Sequence, residues 1–179
     1  MRIIAGTYGG RLLKPSMKNW PTRPTTDIAK EAIFNILQNR LNFEEVNMLD
    51  LFGGTGNHSF EFISRGCSDV TYVELHSNCV NFVKWQSAEF GCESSIGIIQ
   101  GDVKYFVCTT SKEFDYIFAG PPYPLIWLHE IPDLIIGHNL LTSTGILVLE
   151  HNPSHDFSNH AYFKEKRKYG QTIFSFFAI

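Results

Sequence analysis

The stretch Val46-Asn47-Met48-Leu49-Asp50-Leu51-Phe52-Gly53-Gly54-Thr55-Gly56 reads as an apolar strand that runs into a glycine turn. Glycine takes positive φ without a Cβ clash and lets a backbone approach a ligand closely. A helix that begins just after such a turn presents N–H groups with no partner inside the helix. Dinucleotide enzymes space this turn as GxGxxG. Here Gly54-Thr55-Gly56 is followed by Asn57-His58-Ser59, so the third glycine is missing. The strand also ends in an acid, Asp50, which disfavours a pyrophosphate and can accept hydrogen bonds from an ammonium. Tight strand–helix turns occur throughout α/β proteins, so the neighbours must decide.

Downstream the pattern alternates. Strands are predicted at 46–52, 70–75, 95–100, 114–119 and 146–150. Helices are predicted at 59–64, ended by Gly66, at 78–90, ended by Gly91, and at 127–141, where Pro132 threatens the first turn. Segments 163–168 and 172–179 fit a final hairpin hinged at Gly170. Strands alternating with helices imply a Rossmann-like α/β fold, a mostly parallel sheet covered on both faces with an antiparallel hairpin at its edge. Upstream, Thr25-Thr26-Asp27 supplies capping side chains for a helix over 27–39. Its apolar face reads Ile28, Ala32, Ile33, Ile36 and Leu37, with Lys30, Glu31, Gln38 and Arg40 opposite.

Two further acids follow strand ends. Glu74, eighteen residues beyond Gly56, is placed to accept both hydroxyls of a ribose. Asp102, after Gly101, could accept from an adenine amino group. Three acids at the carboxyl ends of three successive strands mark a nucleoside site, since α/β sheets bind ligands along that edge. With Asp50 facing an ammonium, S-adenosylmethionine is the cofactor that fits. The loop Gly120-Pro121-Pro122-Tyr123 is rigid, its prolines lack N–H donors, and its tyrosine can stack on a base.

The chain has 179 residues, 44% hydrophobic and 18% charged, enough for one α/β domain with a full core. No run reaches the ~18 apolar residues that span a bilayer, so membrane attachment is not expected. The start is too short in its apolar part for a signal peptide, and a cytoplasmic monomer is the default. Cys67, Cys79, Cys92 and Cys108 contain no CxxC pair, which points to reduced thiols and no metal. His151 and His155 are four apart, but Pro153 argues against a helix that would pair them. His58 is expected to be solvated or to cap the turn. Charge is uneven: residues 1–40 hold seven Lys/Arg against two acids, and 41–179 hold eight against sixteen. A basic N-terminal segment, 1–40, on an acidic body, 41–179, suggests a polyanionic partner. Lys164, Lys166, Arg167 and Lys168 read as a solvated strand face.

These segments together resemble the RsmD-type methyltransferases, class I enzymes that methylate the exocyclic amine of a guanine in bacterial 16S ribosomal RNA. The resemblance covers nearly the whole chain: RIIAGTYGGRLLKP at 2–15, TRPTTDIAKEAIFNIL at 22–37, DLFGGTG at 50–56, SRGC at 64–67, VTYVEL at 70–75 and GPPY at 120–123. It implies that Asp50, Phe52, Gly54, Gly56, Glu74, Asp102 and Thr25 bind S-adenosylmethionine. Arg23, Pro24 and Thr25 would shape the cofactor and substrate mouth, and Gly120, Pro121, Pro122 and Tyr123 would hold the target base. Arg2, Arg11, Lys14 and Arg23 would meet ribosomal RNA or the small subunit. One departure bears on catalysis, for the family has Asp or Asn where this chain has Gly120. Losing that acceptor implies a cost of about 2–4 kcal/mol in the transition state, and a Gly120→Asp variant is then expected to gain activity. A lesser departure is Ser59, where the family often has glycine. Two other readings stay open: methylation of a DNA adenine amine, and a catalytically weakened RNA-binding protein that keeps the cofactor fold.

Overall fold

The computed structural model describes residues 1–15 and 27–179. The element order is α1 (Asp27–Leu37), β1 (Asn47–Leu51), α2 (Asn57–Ser64), β2 (Asp69–Glu74), α3 (Ser77–Phe90), β3 (Ile96–Gln100), α4 (Val103–Thr109), β4 (Phe114–Ala119), α5 (Ile131–Gly137), β5 (Leu141–His151), β6 (Phe163–Tyr169) and β7 (Thr172–Phe177). Among the described residues seven strands form one sheet in the order β3-β2-β1-β4-β5-β7-β6. β1 to β5 pair in parallel, and β7 joins β5 and β6 antiparallel. This is the doubly wound sheet with an antiparallel edge hairpin that the alternation predicts. The chain reverses direction across the sheet between β1 and β4, the switch point where such folds open a crevice.

Alternate residues of each strand feed two apolar layers, because successive side chains leave opposite faces. Met48, Tyr72, Tyr116, Phe118 and Val148 pack with α1, α2 and α3 through Phe34, Phe60 and Val83. Leu49, Val73, Ile117, Ala119 and Leu149 pack with α4 and α5 through Val107 and Ile135. The N-terminal segment belongs to the first layer. Arg2 bridges Leu12 antiparallel, and Ile3 and Leu13 are buried. Thr7 N donates to Ser64 O at 2.7 Å. Gly6 makes this docking possible: its φ is +80°, and a Cβ there would lie 1.7 Å from Ser64 O.

Several expectations need correction. The buried face of α1 is Ala29, Lys30, Ile33, Phe34 and Leu37, while Ile28 is 76% exposed. The helix is rotated because Phe34 offers more area to bury than Ile36, and because Lys30 finds an acid inside. The helix expected at 127–141 is a 3-10 turn, Leu128–Glu130, followed by the short α5, with Pro132 in the first turn, where its missing N–H costs nothing. α4 has no counterpart among the predicted elements; the Asp102 carboxylate caps it, accepting from Tyr105 N at 2.8 Å. β5 begins five residues earlier than its apolar run, carried by pairing to β4 across an irregularity at Phe114/Tyr116. No helix of the described residues is long and apolar enough to cross a membrane. All four cysteines are free, with Cys67, Cys79 and Cys92 buried and Cys108 exposed. Burial pushes the Cys79 thiol up to about 12, so it holds its proton and is a poor nucleophile.

Candidate active site

The carboxyl ends of β1, β2 and β4 surround a cavity of about 540 Å³. Its floor is the glycine turn. Phe52, Gly54 and Gly56 have φ of +59°, +53° and +68°, which reverses the chain within one turn and starts α2. Gly53 packs flat on Tyr72, whose ring would lie 2.3 Å from any Cβ at 53. Tyr72 OH donates to Gly54 O at 2.6 Å, and Gly56 N donates to Gly53 O at 2.8 Å. The turn is therefore held by an aromatic of the neighbouring strand.

Asp50, Phe52, Gly54, Glu74 and Asp102 all line the cavity, as do Gly120, Pro121, Pro122 and Tyr123. Gly56 does not; it stands one layer back at the start of α2. Arg2, Arg11 and Lys14 are exposed on the N-terminal segment, and Arg11 lies over the rings of Tyr8 and Phe90, 5.3 Å from each centroid. Arg23, Pro24 and Thr25, with the cap residue Thr26, lie outside the described residues.

Asp50 is 1% exposed, and its Oδ2 accepts from Ser59 N at 3.2 Å and Ser59 Oγ at 2.5 Å. Ser59, in the first turn of α2, thus touches the Asp50 carboxylate directly. Burial pushes the Asp50 carboxyl up to about 7, the Ser59 bonds pull it down, and nearby Glu74 pushes it further up. Glu74 is 4% exposed and braces the turn: Gly54 N donates to its Oε2 at 3.0 Å, and His76 N to its Oε1 at 2.8 Å. Among the described residues neither acid pairs with a cation. Two buried carboxylates facing an open cavity favour a ligand that is cationic and rich in donors.

Other lining groups escaped the sequence. His58 is buried, not solvated: its ring stacks on Phe118 at 3.8 Å and its Nε2 lies 3.0 Å from Tyr116 OH. Burial, then the charges of Lys30 and Arg65, hold its pKa well below 6.5, so the ring is neutral and a poor base. Lys30 is 1% exposed, donating to Asn57 Oδ1 at 2.8 Å and Arg2 O at 3.1 Å, and it pairs with Glu61 at 2.8 Å. Glu150 is 6% exposed and accepts from Tyr123 OH at 3.1 Å. It closes the apolar run of β5, at 146–149, and that position, an acid near a strand's carboxyl end like Asp50 and Glu74, was its signal. His151 and His155 lie edge to face at 6.3 Å, with His151 Nε2 against Ser175 Oγ. Among the described residues no group of three or more His, Cys, Asp or Glu is arranged to hold a metal.

The family model described as "Conserved hypothetical protein 95" matches residues 1–178. The chain is 31% identical over 153 residues to ribosomal RNA small subunit methyltransferase D of Haemophilus influenzae, covering 84% of this chain and 78% of that protein. In structure it resembles a hypothetical protein of Thermus thermophilus, with a TM-score of 0.86, 23% identity, and coverage of 100% of this chain and 99% of that one. A SAM-dependent methyltransferase from Agrobacterium tumefaciens also shares the fold, with a TM-score of 0.65, 18% identity, and coverage of 83% and 61%.

Proposed function

The chain belongs to the conserved hypothetical protein 95 family, the RsmD-type methyltransferases, and from that premise we propose that it methylates the exocyclic amine of a guanine in small-subunit ribosomal RNA, using S-adenosylmethionine. The observation that carries the cofactor half is the pair of buried acids, Asp50 and Glu74, facing one cavity, neither of them ion-paired among the described residues, where the cavity's Lys30 is paired to Glu61. The family carries the RNA half.

When bound, S-adenosylmethionine supplies an electrophilic methyl group on a sulfonium. Asp50 would hold the ammonium, Glu74 the ribose hydroxyls, and Asp102, at the exposed rim, the adenine. The Phe52 and Trp127 rings, 5.7 Å apart, wall one side. The Gly120-Pro121-Pro122-Tyr123 loop would receive a base extruded from its stack. Gly120 N donates to Leu51 O at 3.1 Å, which ties this loop to the strand below the turn. Its work is orientation, which can contribute about 7–11 kcal/mol in well-aligned cases. The loop would hold the amine nitrogen in line with that methyl, whose transfer would form an N–C bond and leave the electron pair of the C–S bond on sulfur. The nitrogen's surplus proton leaves along the loop carbonyls to water. Neutral His58, bonded to Tyr116, is not needed as a base.

Incubation with labelled S-adenosylmethionine and small subunits from cells lacking this protein tests the reading, with nucleoside analysis of the product. N2-methylguanosine is the expected result. N6-methyladenine in DNA, or cofactor binding without label on any RNA, would replace it with one of the two open readings. Alanine at Arg2, Arg11 and Lys14 together should weaken RNA binding and lower the slope of log K against log salt by about 2–3, as each lost phosphate contact removes ~0.7–0.9. An unchanged slope would put the RNA on another face.

A further inference from the structure

We propose that Asn57 and His58 form a neutral donor pocket for the carboxylate of the cofactor's methionine end, and that Tyr116 holds the His58 ring in the tautomer this needs. The inference rests on the S-adenosylmethionine reading above and adds to it two binding residues and one positioning residue. Asn57 and His58 stand in the first turn of α2, line the cavity and are buried, 9% and 8% exposed. Lys30 fixes the Asn57 amide: Nζ can only donate, so the atom it meets at 2.8 Å is Oδ1, and the amide NH2 is turned elsewhere. Tyr116 fixes the His58 ring in a similar way. Its hydroxyl is fully buried and keeps its proton, and its hydrogen-bond partner among the described residues is His58 Nε2, at 3.0 Å. With the ring proton on Nε2, the hydroxyl hydrogen would be buried with no acceptor, the costlier arrangement. The hydroxyl therefore donates to Nε2, and the neutral ring carries its proton on Nδ1. Stacking on Phe118 at 3.8 Å and packing against Phe34 at 4.8 Å keep the ring from turning.

Neither donor is used inside the protein. Asn57 Nδ2 and His58 Nδ1 have no hydrogen-bond partner among the described residues, where Glu165 Oε1 is the one sealed side-chain nitrogen or oxygen left without one. The two donors are therefore open, and the space that both residues line is the cavity. The backbone adds to them. Ser59 N donates to Asp50 and Phe60 N to Gly56 O, while the N–H groups of Asn57 and His58, at the start of the helix, have no acceptor among the described residues. Lys30 lends charge but no free proton, since its three N–H bonds go to Arg2 O, Asn57 Oδ1 and Glu61. Converging N–H donors at a helix start select an anion. Asp50, bonded to Ser59 in the same turn, selects a cation. An ammonium and a carboxylate on one carbon are the end of an α-amino acid, which is what the methionine end of the cofactor offers. Neutral donors suit this place better than a cation would. A free lysine or arginine here would pair with Asp50 and compete with the ammonium; an amide and a neutral imidazole leave that acid open.

The experiment compares two ligands on the full chain by calorimetry: S-adenosylhomocysteine, and its decarboxylated analogue, which keeps the nucleoside, the sulfur and the ammonium and lacks only the carboxylate. Wild type should bind the analogue about 10- to 100-fold more weakly, the loss expected for hydrogen bonds to one charged group. The test variant is His58→Phe with Tyr116→Phe. It keeps a ring against Phe118 and removes both partners of the buried bond together, so its melting midpoint should stay near that of wild type. In this variant S-adenosylhomocysteine affinity should fall about tenfold, whereas analogue affinity should hold. A general disturbance of the cavity would weaken both ligands alike. Tyr116→Phe alone frees the tautomer and should cost S-adenosylhomocysteine less than the double variant does. Nitrogen NMR of wild type, which needs no variant, should find the His58 proton on Nδ1. If wild type binds the two ligands equally, if the double variant weakens both alike or neither, or if the ring proton sits on Nε2, the pocket is overturned and the cofactor assignment stands. If wild type binds neither ligand, the cofactor assignment fails and the pocket falls with it.

Discussion

An Asp50→Asn variant is expected to bind S-adenosylmethionine about 30- to 150-fold more weakly than wild type at pH 7.5, the loss of about 2–3 kcal/mol that a charged hydrogen bond contributes, and yet to be the more stable protein there. The two effects share one cause. Asp50 is 1% exposed, and burial raises its carboxyl to about 7. A carboxyl raised in the folded state binds protons more tightly there than in the unfolded chain. Between about pH 4 and pH 7 the folded state therefore holds the extra proton, and stability falls as pH rises through that window. At about 1.4 kcal/mol per pH unit, the total is on the order of 4 kcal/mol. Asn does not titrate, and its oxygen can still accept from Ser59, so the variant should pull ahead of wild type from pH 4 to 7. Cofactor binding moves the other way with pH. The ionised carboxylate is the form that holds an ammonium, so wild-type affinity should rise about tenfold between pH 5.5 and 7 while the variant stays flat. Calorimetry and denaturant titrations across this range check both halves. Parallel stability curves would mean that Asp50 ionises at its ordinary value, and an unchanged affinity would move the ammonium elsewhere.

The acids explain what the sequence could show. Asp50 and Glu74 were legible as acids set at or one residue before the carboxyl end of an apolar strand, where the chain must turn. β4, over Phe114–Ala119, was legible to the residue for the same reason of contrast. Glu150 has the same signature, but β5 runs on through His151 and its apolar run gives no turn beside it. Lys30 lands on the wrong face because periodicity sorts residues by type and assumes that a lysine faces water. Nothing local announces that Glu61 lies beneath it. His58 misleads for a related reason: a polar residue after a glycine turn is usually wet, and only the tertiary stack on Phe118 dries it. α4 has seven residues and depends on its Asp102 cap and on Val103 and Val107 packing below the sheet. Elements this short carry too little periodicity to stand out.

The same hidden pair sets the second large effect. Glu61→Gln is expected to destabilise the fold by about 3–5 kcal/mol, the usual cost of removing one partner from a buried ion pair, and to lower the melting midpoint by roughly 10–15 °C. Glu61 is fully buried and accepts from four donors: Ile4 N at 2.8 Å, Ala5 N at 3.1 Å, Lys30 Nζ at 2.8 Å and Arg65 Nε at 3.0 Å. Burial alone would raise its carboxyl. The Lys30 charge, the Ile4 N–H and the Lys30 and Arg65 bonds outweigh it and hold the group below the usual glutamate range. A depressed carboxyl contributes stability that is present above the unfolded value, about 4.3, and is lost as pH falls through the folded one. The gap between wild type and Glu61→Gln should therefore be full at pH 7 and shrink below about pH 4. A gap that keeps its size into acid would mean that shape, not charge, is what Glu61 supplies. The location of the damage matters as much as its size. Two of the four donors are backbone N–H groups of the N-terminal segment, and Lys30 also reaches Arg2 O and the Asn57 side chain at the start of α2. Glu61 thus ties the segment that presents Arg2 and Arg11 to the helix that rises from the glycine turn. Its loss should free residues 1–13 to early proteolysis and reduce the salt slope of RNA binding toward that of the Arg2, Arg11 and Lys14 variant. Cofactor affinity should fall less, because Asp50, Glu74 and Tyr72 hold the turn from the sheet side.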